Sequence, residues 1–101
     1  MLVSELFPEL AKHILRDLRR LKRNDLAAQV MNLRVVDRCR CGEAACGTFY
    51  TQGTESRRRM PTLGTDIMLD CGAIVTEVHG RIVEVETLDP KVNETLCRVI
   101  P

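Results

Sequence analysis

Two strand-like segments joined by a two-residue turn constrain the fold of this 101-residue chain most strongly. Residues 73–78 and 81–88 are rich in β-branched side chains, and His79-Gly80 separates them. A two-residue hairpin turn needs positive φ angles, which glycine adopts freely and histidine tolerates better than most residues. The pattern therefore predicts an antiparallel hairpin, and with it an antiparallel sheet.

The alternation of apolar and polar residues predicts the register of this hairpin. Successive side chains of a strand point to opposite faces, so a turn at His79-Gly80 decides which residues share a face. The predicted pairs are Thr76–Val83 and Ile74–Val85 on the buried face, and Val75–Glu84 and Glu77–Ile82 on the more polar face.

The N-terminal part of the chain predicts an amphipathic helix over residues 8–23. Its apolar residues recur at intervals of four, four, four and three, which lays one stripe along a helix. This stripe contains Leu6, Leu10, Ile14, Leu18 and Leu21. Pro8 suits a first-turn position because its missing N–H is not needed there. We expect Leu10, Ile14 and Leu18 to face the sheet.

The remaining segments complete the predicted fold. They are a short helix near 25–31, strands over 33–38, 48–51 and 67–71, an irregular loop over 52–66, and a helix that begins at Asp89-Pro90. An aspartate cap followed by proline is typical of a helix start. We predict one α+β domain over residues 1–101. It has an antiparallel sheet of four to six strands, the N-terminal helix on one face and a short C-terminal helix.

Composition argues against several functional classes. The chain has three aromatic residues, a net charge of +1 and a pI of about 7.6. Base stacking needs aromatic side chains and a nucleic-acid binder needs a basic surface, so the basic run at 57–59 is better read as a solvated loop and nucleic acid is an unlikely partner. No stretch approaches the roughly 20 apolar residues of a membrane span. We expect no membrane partner and a cytoplasmic location.

Three of the five cysteines lie within eight residues, at Cys39, Cys41 and Cys46. We interpret them first as small packing residues at a tight hairpin, and predict no cofactor. One alternative is structural zinc, which needs four ligands, with the fourth from Cys71, His79 or Cys97. Another is thiol redox chemistry, favoured by neighbouring cations, although the chain has no Cys-x-x-Cys motif.

No catalytic residues can be assigned from the sequence. No nucleophile, histidine and carboxylate form a pattern typical of an active site, and the enzyme hypothesis ranks third. Under that hypothesis a pocket lies near Arg38, Arg40 and Tyr50, and these polar residues are the candidate ligand-binding residues.

Charge is distributed unevenly along the chain. Residues 1–60 carry 12 basic and 7 acidic side chains, whereas residues 61–101 carry 3 and 7. The simplest interpretation is that solvated faces differ in charge by chance; the alternative is that the two halves attract each other, within one chain or between two. Our first hypothesis is a small binding or protein-interaction module that forms a homodimer. The alternative is a small zinc- or thiol-dependent protein centred on Cys39, Cys41 and Cys46.

Two segments resemble families of small bacterial proteins. Residues 36–51 contain Arg-Cys-Arg-Cys-Gly, a third cysteine and Phe-Tyr-Thr, which resembles a bacterial family without an established activity. Residues 80–89, Gly-Arg-Ile-Val-Glu-Val-Glu-Thr-Leu-Asp, resemble the end of the same family and a hairpin of a bacterial domain of unknown function. The resemblance implies a bacterial origin and a compact sheet domain, and it implies no function.

Overall fold

The computed structural model describes residues 1–51 and 64–101. Its helices are α1 (Val3–Leu6), α2 (Pro8–Arg20), α3 (Asn24–Ala27) and α4 (Pro90–Val99), with a 3₁₀ helix at Val30–Asn32. Its strands are β1 (Asp37–Arg38), β2 (Phe49–Tyr50), β3 (Thr65–Met68), β4 (Ile74–Val78) and β5 (Arg81–Glu86). The fold class is therefore α+β, as the sequence predicts.

The five strands form one antiparallel sheet in the order β1-β2-β5-β4-β3. Phe49, Val85 and Val75 are consecutive cross-strand neighbours, and all three are fully buried. The Phe7 ring stacks on Phe49 with ring centroids 5.6 Å apart. One core thus joins this face of the sheet to the N-terminal helices.

The predicted hairpin is present, but its predicted register is wrong. His79 and Gly80 have φ angles of 50° and 77°, as the turn requires. Glu77 pairs with Ile82 as predicted, whereas Thr76 pairs with Glu84 and Ile74 with Glu86. Val83 is skipped in this pairing, so β5 contains a one-residue bulge.

The bulge has a simple energetic reason. In the predicted register, Val75 and Ile82 would lie on the polar face. A bulge reverses the alternation beyond it. It allows Ile82, Val75 and Val85 to be fully buried together. Each of these side chains is worth roughly 1.5–3 kcal/mol when buried.

Helix α2 presents its apolar stripe to the core as predicted. Ile14 and Leu18 are fully buried, and Leu10 is partly buried against the same cluster. The predicted helix of 8–23 ends early, since Lys22 takes a left-handed φ of 59°. Leu21, the last residue of the predicted stripe, is consequently exposed.

A buried carboxylate joins α2 to the turn between β3 and β4. Asp17 is 1% exposed, and it accepts hydrogen bonds from the Arg16 Nε–H and the Cys71 backbone N–H, both at 3.1 Å. Burial opposes ionisation of Asp17, but these two donors outweigh it and lower the pKa of its carboxyl. Asp17 lies outside the apolar stripe of α2, and the spacing of that stripe does not reveal this role.

Several element boundaries differ from the predictions. The strand predicted over 33–38 is reduced to β1, because Arg34 forms an isolated bridge to Leu2 instead. The strand predicted over 67–71 is β3, so residues 65 and 66 belong to a strand rather than to the predicted loop. The rest of that loop, residues 52–63 with the basic run at 57–59, lies outside the described residues. Within the described ranges, no helix combines the length and apolar character that crossing a bilayer requires.

Helix α4 starts at the predicted cap and closes the core. The Asp89 carboxylate accepts the Lys91 backbone N–H at 2.9 Å. Val92 and Leu96 are buried in the common cluster, and Ile100 packs against it. Helix α4 therefore packs on the core next to the loop between β1 and β2, which carries the clustered cysteines.

Candidate metal centre

The loop between β1 and β2 folds back on itself and carries all three clustered cysteines. The Cys39 N–H donates to the Thr48 carbonyl at 3.0 Å, which continues the pairing of the two strands. Gly42 has a φ of 83°, and the Cys46 N–H donates to the Glu43 carbonyl at 3.1 Å. These two turns return Cys46 to the neighbourhood of Cys39 and Cys41.

The three sulfur atoms form a compact group. The Sγ atoms of Cys39, Cys41 and Cys46 all lie within 4.8 Å of one another. Bonds of about 2.3 Å to a tetrahedral zinc ion place its sulfur ligands about 3.8 Å apart. Small side-chain shifts therefore suffice to bring all three sulfurs onto one ion.

The cluster lies at the surface. Cys41 is exposed, while Cys39 and Cys46 are half-buried. The interpretation of the cysteines as small packing residues at a tight hairpin stays a prediction. An ion could reach the sulfurs from solvent without any opening of the fold.

The two half-buried thiols, Cys39 and Cys46, have different pKa values because their surroundings differ. The Thr48 hydroxyl and then its backbone N–H hold the pKa of the Cys46 thiol below its ordinary value. Partial burial raises the pKa of the Cys39 thiol, and the neighbouring sulfurs raise it further. Cys46 is thus the first of the pair to become a thiolate, the form that binds metal.

The loop is attached to the start of α4 by two sets of hydrogen bonds. The Asn93 Nδ2 atom donates to the Cys46 carbonyl at 2.8 Å and to the Glu43 carbonyl at 3.4 Å. The Gly47 N–H donates to the Thr87 carbonyl at 2.8 Å, and the Thr87 hydroxyl donates back to the Gly47 carbonyl at 2.9 Å. The loop and the helix are therefore positioned as one unit.

The predicted ligand-binding arginines make contacts at the other end of α4. The Arg38 Nε–H donates to the Ile100 carbonyl at 2.5 Å, and Arg40 Nη1 lies 3.5 Å from the backbone oxygen of Pro101. Arg40 also pairs with the Asp37 carboxylate at 3.3 Å. In this structure both arginines hold the C-terminal residues, and their binding of an outside ligand stays a prediction.

Tyr50 is not grouped with Arg38. Arg38 is the cross-strand partner of Phe49, and Tyr50 is the partner of Asp37 and Glu84. Because side chains alternate along a strand, Tyr50 and Arg38 lie on opposite faces of the sheet. The structure thus brings the three cysteines together and separates two of the three residues assigned to a ligand site.

Asn93, Thr48 and Gly47 are the site residues that sequence reasoning missed. The cap at Asp89 places Asn93 on a helix, but no local pattern shows that its side chain faces a loop almost 50 residues earlier. The sequence pattern assigns Thr48 only to a strand. Its position two residues after Cys46 is the available signal that its hydroxyl reaches that sulfur.

No family model, curated protein or solved structure matches this chain. The bacterial families that the cysteine segment and residues 80–89 resemble therefore stay a prediction. What the cluster can do follows from its own geometry and chemistry.

Proposed function

We propose that this protein is a small metal-binding module that holds a thiophilic ion, Zn²⁺ in the first instance, through Cys39, Cys41 and Cys46. The observation that supports it is the mutual approach of the three sulfur atoms to within 4.8 Å. Among the described residues, no other group of three or more histidines, cysteines, aspartates or glutamates has this arrangement. Thiolates at this density favour zinc or another soft ion.

We expect metal binding to fix the conformation of the loop between β1 and β2 and to stabilise the folded protein. This loop is hydrogen-bonded to the first turns of α4 through Asn93, and the adjoining β1 is bonded through Arg38 to the Ile100 carbonyl after the helix. An ion that fixes the three sulfurs also fixes the loop, and thereby the surface on which α4 rests. Since binding to the folded state alone stabilises a protein by mass action, zinc should raise the melting temperature.

We expect reduced protein to retain about one zinc ion per chain after gel filtration, because a folded site of clustered thiolates binds zinc far more strongly than scattered thiols do. The measurement is elemental analysis of protein purified with a phosphine reductant, followed by thermal unfolding with and without a chelator. Chelation should lower the melting temperature, and zinc binding should release protons from the thiols.

Cys46→Ser and Cys71→Ser form the matched pair of variants for this experiment. Cys71 is exposed and lies in the turn between β3 and β4, so its loss should leave zinc binding unchanged. Cys46→Ser should abolish stoichiometric binding. Wild-type protein that retains no zinc, or a Cys46→Ser variant that binds as the wild type does, would contradict the proposal.

We also propose that the module acts as a homodimer that binds other molecules through its surface, in the cytoplasm of a bacterium. Met68 and Leu88 support a dimer, because these large apolar side chains are 77% and 87% exposed. The opposite charges of the two halves of the chain favour an antiparallel arrangement of two copies. The five free cysteines fit a reducing compartment.

We expect sedimentation at micromolar concentration to give the mass of a dimer, because association covers exposed apolar surface. The measurement is made at low and at physiological salt, because the comparison shows how far dimerisation depends on attraction between charges. A strictly monomeric mass in both buffers contradicts the dimer.

A further inference from the structure

A zinc ion bound through three thiolates has a fourth coordination position. The sequence contains three candidate residues for the fourth ligand. Structural zinc sites are almost always closed by four protein ligands. The sequence offers Cys71, His79 and Cys97 outside the cluster. Their positions in the fold separate these three candidates clearly.

His79 and Cys71 are poorly placed. His79 lies at the tip of the hairpin, at the end of β4 and β5 away from the cysteine loop. The five residues of β4 correspond to about 17 Å of strand. Cys71 is at the same end of the sheet as the loop, but β5 lies between them, and the buried Asp17 carboxylate holds its backbone N–H.

Cys97 lies on the element that contacts the loop. Helix α4 is bonded to the loop at Asn93, and the Ile100 carbonyl just after the helix accepts from Arg38 of the adjoining strand β1. Residues 93 and 97 are four apart in α4, so their side chains lie on one face of the helix. Cys97 therefore lies one turn beyond Asn93, on the same side of α4 as the residue that contacts the loop between β1 and β2.

The Asn93 side chain links Cys97 to the backbone of the cluster, while the Cys97 sulfur lies outside the group of three within 4.8 Å of one another. The Asn93 Nδ2 atom donates to the Cys46 carbonyl at 2.8 Å, and the Cys97 thiol donates to the Asn93 Oδ1 atom at 3.8 Å. The contact of Cys97 is long for a hydrogen bond, and its side chain is exposed, so little holds the thiol in this position.

We infer that Cys97 is the fourth ligand of the metal ion, which completes a tetrathiolate site from the loop between β1 and β2 and the facing side of α4. This inference rests on the proposed function of the three-cysteine cluster. On binding, Cys97 exchanges its contact with Asn93 for a bond to zinc and releases its proton to solvent.

The test compares wild-type protein with Cys97→Ser and Cys71→Ser, loaded with zinc in a phosphine reductant that supplies no thiol. X-ray absorption counts the sulfur ligands, and competition with a chelating dye gives the affinity. We expect four sulfurs in the wild type and in Cys71→Ser. In Cys97→Ser we expect three sulfurs and one lighter atom, with affinity lower by at least about 100-fold, since even outer-shell changes cost 10- to 100-fold.

The possible results distinguish this inference from the function on which it rests. Zinc held by three sulfurs in the wild type, or an unchanged affinity in Cys97→Ser, overturns the role of Cys97 and leaves the cluster as a metal site. Four sulfurs retained in Cys97→Ser also overturn it, because the fourth thiolate then comes from another source. Failure of wild-type protein to bind zinc overturns both.

Discussion

Leu18→Asp is expected to unfold the protein at room temperature. Leu18 is fully buried in α2, in the same cluster as Ile14 and Leu26. Removing a buried leucine side chain costs about 2–5 kcal/mol, and a carboxylate without a partner adds a desolvation penalty of several more. A small domain has a total stability of only about 5–15 kcal/mol. Far-ultraviolet circular dichroism and thermal unfolding measure the result.

Leu21→Asp provides the matched control, with the same substitution one turn later on the same segment. Leu21 is 50% exposed, so its carboxylate remains in water. A change of about 1 kcal/mol moves the melting temperature of a domain of this size by 4–8 °C, and we expect Leu21→Asp to stay within that range. A folded Leu18→Asp variant that melts together with Leu21→Asp would show that α2 is packed differently.

The contrast between these two leucines shows how far helical periodicity can predict a structure. Both belong to the apolar stripe of the sequence, and the stripe correctly identifies the buried side of α2. The stripe does not show where the helix ends. That point depends on Lys22, whose φ of 59° stops the helix before the last turn of the pattern.

In the hairpin, the turn is determined by local sequence, whereas the register is determined by non-local packing. The turn at His79-Gly80 is specified locally, because only a few residue types adopt two positive φ angles in succession. The register away from the turn depends on which side chains the whole core can accommodate. The bulge at Val83 buries Val75 and Ile82, and nothing within the hairpin alone marks it.

For the candidate site, the sequence identified the sulfurs but not what holds them. The spacing of Cys39, Cys41 and Cys46 indicates a common loop, and the structure brings their sulfurs together. The contacts of that loop with Asn93 and Thr87 join residues 40 or more positions apart in the chain. Such contacts follow from the packing of α4 on the sheet, which periodicity and spacing do not specify.

Gly47→Ala is expected to destabilise the protein and to weaken its metal site together. A Cβ atom at Gly47 would lie 2.1 Å from the Thr87 Oγ1 atom and 2.9 Å from the Val92 Cβ atom. Neither neighbour can yield easily, since the Thr87 hydroxyl is bonded to the Gly47 carbonyl and Val92 is buried in the core. Overpacking of this kind costs about 1–3 kcal/mol, and occasionally more.

Gly42→Ala separates the effect of this clash from that of adding a methyl group to the same loop. A Cβ atom at Gly42 meets nothing within 4 Å, so only its φ of 83° opposes the substitution. Placing an L-residue in that region costs about 1–2 kcal/mol. Thermal unfolding in the presence of a chelator should therefore show a loss of stability in both variants, larger in Gly47→Ala.

Zinc affinity is the second quantity to measure for Gly47→Ala and Gly42→Ala. Displacing Gly47 from Thr87 also displaces Cys46, the adjacent residue, so the affinity of Gly47→Ala should fall by more than its stability alone explains. The comparison is made below the melting temperature of both variants, where each is folded. Gly47→Ala protein with the melting temperature and zinc affinity of the wild type would show that the loop does not rest on α4 as described.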